Sequence, residues 1–475
     1  MLLEAFLHQC IDHPDALALQ EQDRCLSYAQ LLQQAQAVAA ALQTLGTLPG
    51  QPVAIHLDRG IDAVIAVFGV LLSGACYVPL DLKNPSSRLA FITADAQVKV
   101  VLGIGTAPEW LEAGLWLNMA DCPNTPFNPV ETTNDGLAAI LYTSGSTGQP
   151  HGVALSHGAI AAFANWAADL LALTPIDRIA SSAPLFFDLS TFDLYAVLGT
   201  GASLHFLPGK LTMAPARLSA WLSEQAISGW YSVPSLLAFL AYKGNLAQTP
   251  LASLRFIIFA GEVFPTPALI DLAAALPQTA LYNFFGPTET NVCCYWPVKR
   301  EQLQAKQNIP IGQPAAGCEL HIHADSNELR VRGPTLASGY WGAGQLRPFL
   351  NAQSWYPTGD SVSLENGEYR FHGRLGRMLK CSGYRVEPAE IEAVVNAIDG
   401  VRDCAVLGVD DPTAGQRPVL AMVLESGIGI AEIRKHLLQQ LPSYMQPSRY
   451  QVLDALPRLP NGKLDYQTLR SMLET

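Results

Sequence analysis

The loop Leu141-Tyr142-Thr143-Ser144-Gly145-Ser146-Thr147-Gly148-Gln149-Pro150-His151-Gly152 interleaves hydroxyls and glycines directly after an apolar run. Glycines let backbone N–H groups approach phosphate oxygens, and Ser and Thr add donors without bulk. A Walker A loop needs GxxxxGK followed by Ser or Thr, and Pro150 stands where its second glycine belongs. Alone, the loop reads equally as a phosphate cradle or as a plain Ser/Gly turn. Asp188 is a second candidate, set among Phe186, Phe187, Leu189 and Phe192. A carboxylate buried there without a partner is costly. Either a substrate ammonium or a lysine or arginine of the chain can supply that partner. Lys463 is the third, carried at a loop tip by Pro460-Asn461-Gly462.

The loop resembles the phosphate-loop signature YTSGSTGxPxG of the adenylate-forming superfamily, which includes acyl-CoA synthetases, luciferases and the adenylation domains of nonribosomal peptide synthetases. Further motifs resemble the peptide-synthetase branch, in order along the chain. They are Leu26–Leu31, Gly74–Asp81, Asn283-Phe284-Phe285-Gly286-Pro287-Thr288-Glu289-Thr290, Tyr356–Asp360, Gly373-Arg374, Gly383-Tyr384-Arg385-Val386-Glu387 and Leu459–Asp465. The resemblance implies that a carboxylate is joined to the α-phosphate of ATP with loss of pyrophosphate, and that the acyl group then passes to a thiol. Two anions must meet, so the site has to supply positive charge and hold both in line.

By that resemblance Lys463 bridges the substrate carboxylate and the α-phosphate, a task suited to an ammonium point charge. Glu289 resembles the family's Mg²⁺ ligand, an ion commonly held by one or two carboxylates with ATP oxygens and water. Thr143, Ser144, Gly145, Ser146, Thr147 and Gly148 are expected to cradle phosphate, with Thr288 also on phosphate and Asn283 on adenine. Thr288 or Thr290 could equally cap a helix. Asp360 would accept hydrogen bonds from the ribose diol, assisted by Arg374. Asp188 would take the substrate ammonium, the chief reason to expect an amino acid. The other pocket walls fall at Leu189, Phe192, Tyr231, Ile258, Ala260, Phe284, Val292 and Cys293. Bulky, nearly uncharged walls disfavour a charged side chain. The set is similar to that of stand-alone L-prolyl-carrier-protein ligases, which points to proline, with other small apolar amino acids behind it. A D-alanine-carrier ligase, an acyl-CoA ligase and a non-catalytic nucleotide-binding relative are the rival readings.

Two positions depart from the pattern. His151 stands where the family usually has lysine and pulls less on phosphate. Gly376 stands where aspartate often serves as the hinge for rotating the small domain. Glycine can still act as one, less tightly locked. No carrier-protein serine motif and no HHxxxD motif occurs, so the expected acceptor is a separate peptidyl carrier protein with its phosphopantetheine arm.

The elements that must position these groups follow an α/β rhythm. At 475 residues the chain exceeds one compact core. Val53–Leu57, Val98–Leu102, Leu137–Tyr142 and Leu254–Phe259 read as buried strands, and Leu218, Trp221 and Leu222 show helical spacing after Pro215. Uncharged Ala63–Leu80 is long enough to raise a membrane alarm, but Gly69, Ser73, Gly74 and Pro79 favour a buried helix followed by a strand. A new style begins near Gly373. A helix opens around Glu390-Ile391-Glu392, strands follow at Asp403–Val409 and Val419–Leu424, and another helix runs from Ala431. The expected fold is therefore α/β, with a large N-terminal domain of layered mixed sheets and helices over residues 1–375. A small, mobile α+β domain is expected over 376–475. The formal charge of −12 and the lack of a basic run argue against nucleic acid. Nine scattered cysteines without a CxxC pair, and no basic leader, suit the reducing cytoplasm.

Overall fold

The computed structural model describes residues 2–112, 114–123, 127–145, 148–349, 355–411, 415–425, 427–459 and 464–474. Lys463, Ser146 and Thr147 lie outside them. Among the described residues two large sheets face each other in the N-terminal domain. One is parallel at its centre, with Ala280–Phe285, Phe256–Phe259, Gly229–Ser232, Arg178–Ser181, Ser203–Phe206 and Leu17–Glu21 side by side. The other joins Pro52–Ile55, Cys76–Pro79 and Val100–Gly103 in parallel and continues through the antiparallel pair Leu137–Thr143 and His151–Ser156 to an edge hairpin of Gly339–Gly342 and Gln345–Pro348. The expected strands at 98–102 and 254–259 start two residues later. Val98 and Leu254 close the preceding turns, their N–H groups donating to Thr93 and Leu251.

Between the sheets lies the largest apolar cluster. Ile61–Leu72 is buried along every face except Asp62, which pairs with Arg24 at 2.7 Å. A helix apolar all round belongs between layers rather than on a surface. That answers the membrane alarm: helix Ile61–Leu72 is followed by strand Cys76–Pro79, and no described helix is long and apolar enough to cross a membrane. Alanine-rich Tyr28–Thr44 packs against it, its first turn secured by a capping box of Ser27 and Gln30. Gly69 makes this approach possible, because a Cβ there would stand 2.6 Å from Val38.

A four-stranded sheet, from Glu319–Ile322 to Glu368–Arg374, leads to the small domain. There Val401–Asp411 and Gly415–Leu424 form a long hairpin, flanked by Leu379–Cys381, Tyr384–Val386 and Arg449–Val452. Helices Pro388–Asn396 and Ile430–Gln440 bury Ile391, Val395, Ile433 and Leu437 on one side. Pro388 is the first helical residue rather than a residue before the helix, the place where its missing N–H matters least. Helix Tyr466–Glu474 places Leu469 and Leu473 with Ala405 and Leu407. A bend runs through 375–377, and a Cβ on Gly376 would meet nothing within 4 Å.

Gly69→Val overfills the contact between the two central helices. Overpacking costs about 1–3 kcal/mol, so the urea midpoint falls while the slope of the transition stays unchanged.

Candidate active site

Gly229–Ser232, Phe256–Phe259 and Ala280–Phe285 end together. Tyr231, Ala260, Gly261, Phe285 and Gly286 line a cavity of about 130 Å³ there. The crevice beyond the carboxyl ends of parallel strands is the usual ligand site of an open α/β sheet. Thr143, Ser144, Asp188, Leu189, Thr288, Val292, Asp360 and Arg374 converge on the same cavity. Residues as far apart in the chain as Thr143 and Arg374 are thus brought together at the strand ends.

Four expected wall residues stand behind that lining. Phe192, Ile258 and Phe284 are almost wholly buried in the core, and Cys293 is buried with its thiol on the Phe285 carbonyl at 3.5 Å. Phe192 and Phe284 each meet the Tyr231 ring edge-on at 5.7 Å, so they set the position of Tyr231 rather than touch the cavity. Asn283 opens on a neighbouring, smaller pocket, and its side-chain amide donates to the Pro310 carbonyl at 2.8 Å.

Asp188 keeps the character expected of it. None of the ion pairs among the described residues includes it. Burial is the main force on its carboxyl, and the Glu289 charge acts the same way. The Thr288 hydroxyl, the Leu189 N–H and Lys380 oppose them, and the net result is a pKa pushed up to about 6. Asp360 differs. Arg374 holds it at 2.8 Å and also donates to the Thr358 carbonyl at 2.9 Å, so this carboxylate is fixed in place.

The turn after Gly286 corrects one alternative. Thr290 N–H and Oγ1 both donate to the Pro287 carbonyl, at 2.8 and 3.1 Å, and no helix follows for either threonine to cap. The chain instead enters strand Cys294–Pro297. A Cβ on Gly286 would lie 1.7 Å from the Asn291 carbonyl, so only glycine closes this turn. Asn291 sits at φ +51°, a conformation asparagine tolerates, and its amide donates to Thr191 at 3.1 Å.

Glu289 is fully buried, and Arg385 of the small domain reaches both of its oxygens, at 3.0 and 3.3 Å. The Tyr340 hydroxyl donates to it at 2.9 Å. Burial alone would raise the Glu289 pKa. The Arg385 charge, a backbone N–H, Tyr340 and His151 outweigh it, and the net shift is downward. His151 packs edge-on against Tyr340 at 4.5 Å, and burial lowers its pKa, so the imidazole is neutral at pH 7.

The small domain makes three more contacts across the site. Ser144 Oγ donates to the Arg385 carbonyl. Arg88 pairs with Glu390, both nearly buried. Tyr384 stacks on Tyr444 at 3.9 Å and meets Phe187 edge-on at 4.9 Å. Arg88, Lys380 and Tyr444 were not singled out in the sequence, and Glu390 was read only as part of a helix start. The only available signal was the Gly383–Glu387 motif, which marked the segment without saying what it touches.

Residues 6–341 match the family described as AMP-binding enzyme, and 390–463 match the AMP-binding enzyme C-terminal domain. An L-proline–[L-prolyl-carrier protein] ligase of Streptomyces coelicolor is 39% identical over 94% of this chain and 91% of its own length. Another of that name, from Pseudomonas fluorescens, is 35% identical over 100% and 99%. Among solved structures, the o-succinylbenzoate CoA synthetase of Bacillus subtilis superposes with a TM-score of 0.86. It covers 98% of both chains at 24% identity.

Arg385→Ala strands the Glu289 charge. Breaking a buried pair in this way costs about 3–5 kcal/mol, so the small domain lifts away. Amide exchange is expected to speed up at residues 384–390, and adding Glu289→Gln restores part of the protection.

Proposed function

The chain belongs to the AMP-binding enzyme family, and from that premise we propose that it activates a small apolar amino acid, L-proline first, as its acyl-AMP. ATP is consumed and pyrophosphate leaves. The aminoacyl group then passes to the phosphopantetheine thiol of a separate peptidyl carrier protein. The two prolyl-carrier ligases support both halves of this reading, since they align along nearly their whole lengths. The observation that carries it is Asp188, an acid that lines the cavity with Phe186, Phe187, Leu189 and Tyr231 and has no ion-pair partner among the described residues. A secondary ammonium supplies the missing charge without asking the pocket for further hydrogen bonds.

In this reading Asp188 holds the amine, while Tyr231, Leu189, Ala260 and Val292 enclose the ring. Phe192, Ile258, Phe284 and Cys293 fix those walls from behind. Asp360, held by Arg374, takes the ribose hydroxyls, and Asn283 faces the adenine. Thr143 to Gly148 and Thr288 take phosphate, with neutral His151 adding little pull. Lys463 brings the positive charge that lets carboxylate and α-phosphate meet.

Mg²⁺ fits Glu289 on one condition. That carboxylate is ionised, and its present cation, Arg385, sits on the small domain. Once Arg385 withdraws, Glu289 can hold the ion, which would neutralise phosphate charge. No cluster of three ligating side chains occurs among the described residues, which suits an ion held mostly by substrate oxygens and water.

We place the domain boundary at 375/376 and let the small domain turn about Gly376. The arrangement described above belongs to transfer: Arg385 occupies Glu289, and Leu464, next to Lys463 in the chain, packs with the small domain's own core. All nine cysteines are free, which suits our placing the enzyme in the cytoplasm.

A panel of twenty amino acids in ATP–pyrophosphate exchange tests the substrate, with proline expected to give the highest kcat/KM. No preference for proline removes that part of the reading. Asp188→Asn takes away one member of a buried charge pair, worth about 2–5 kcal/mol, so the KM for proline rises roughly thirtyfold or more. In the unaltered enzyme that KM also climbs as pH falls through about 6, because a protonated Asp188 no longer attracts the amine. The Asn variant lacks this acid limb.

A further inference from the structure

Several tyrosines of this chain hand their hydroxyls to an acceptor. Tyr28 donates to the Ala202 carbonyl at 2.7 Å, Tyr142 to Asp95 at 2.7 Å and Tyr340 to Glu289 at 2.9 Å. Tyr231 does not. The residue is 2% exposed and lines the cavity together with Leu189, Ala260 and Val292, yet its hydroxyl makes no hydrogen bond to any described residue. Packing also keeps it from turning away to find one. Strand Gly229–Ser232 is flanked in parallel by Arg178–Ser181 and Phe256–Phe259, and Phe192 and Phe284 each meet the Tyr231 ring edge-on at 5.7 Å.

Burial, with the charges of Asp188 and Asp193 acting the same way, holds the Tyr231 pKa well above the usual tyrosine value. The group is therefore a neutral O–H that can donate or accept. Leaving such a group unpaired among apolar neighbours is costly. Water can meet it while the cavity is empty. A ring of plain CH₂ groups displaces that water and offers nothing in return, which loses affinity.

In the reading above, on which this inference rests, Asp188 takes the amine and the carboxylate turns to the α-phosphate. Carbon 4 of a proline ring is bonded neither to the amine nitrogen nor to the carbon that bears the carboxylate. It is the position freest to carry a group that answers Tyr231. We propose that Tyr231 is a specificity-determining residue whose hydroxyl pairs with a hydroxyl on carbon 4, so that 4-hydroxylated prolines are substrates of this pocket. They are preferred over prolines that carry an apolar group of similar size at the same carbon. The chemistry of activation is unaltered: the carboxylate oxygen bonds to the α-phosphorus and pyrophosphate leaves.

ATP–pyrophosphate exchange is measured with L-proline, both 4-hydroxy-L-proline epimers and both 4-methyl-L-proline epimers, on the unaltered protein and on Tyr231→Phe. A methyl group is close to a hydroxyl in size and makes no hydrogen bond. At one epimer the hydroxyl compound is expected to exceed its methyl counterpart in kcat/KM by about tenfold or more, the factor that goes with stranding a buried polar group. In Tyr231→Phe that ratio falls to about one or below. Each figure is a ratio within one protein, so a general loss of activity in the variant cancels, and with an inactive variant the ratio in the unaltered protein decides by itself. Methyl compounds that equal or exceed their hydroxyl counterparts at both epimers in the unaltered protein overturn the proposal. So does a hydroxyl preference that survives in Tyr231→Phe. Exchange with none of the five compounds overturns the proline reading itself, whereas exchange with proline at a ratio near one overturns this inference alone.

Discussion

Glu289 is a carboxylate sealed away from water, and its charge has to be met by something. In the described arrangement a guanidinium from another domain meets it, with the Tyr340 hydroxyl filling one remaining direction. A buried acid left alone would either protonate or distort its surroundings. The interface between the domains is therefore built around satisfying this one group. Arg88 with Glu390 repeats the theme in a second place, and Ser144 spends its hydroxyl on the segment that brings Arg385 in.

These contacts use the same groups that a nucleotide would need. In the proposed mechanism the Ser144 hydroxyl and the Glu289 charge each serve either the small domain or the triphosphate and its ion, but not both at once. Competition for shared partners is a physical reason for two half-reactions to alternate in one cavity. It needs no signal from a distance. On that proposal, the departure of pyrophosphate itself frees the groups that the small domain then takes.

Much of the fold could be read from the chain because it depends on near neighbours. The unbroken apolar run through 61–80 with glycine and proline at its joints resolves into one buried helix and one strand, as local period and turn chemistry require. Asp188 stood out for a similar reason: an acid directly between Phe187 and Leu189 is a local anomaly. Arg385 to Glu289 and Arg88 to Glu390 span 96 and 302 positions, and no local pattern announces either. The misplacement of Phe192, Ile258, Phe284 and Cys293 has another origin. A motif tells which residues surround a pocket but not how deep each lies, and depth here follows from the Tyr231 ring standing in front of two of them.

The aromatic group of Phe187, Tyr384 and Tyr444 bears on chemical wastage. A mixed anhydride of an amino acid and a nucleotide is open to attack by any water that reaches its carbonyl. Each such event burns an ATP for nothing. The ring faces beside the cavity, two of them on the small domain, are poor hydrogen-bond partners for bulk water. In the proposed turn about Gly376 the seal is assembled by the same movement that admits the thiol, so the intermediate is covered just when its intended nucleophile arrives.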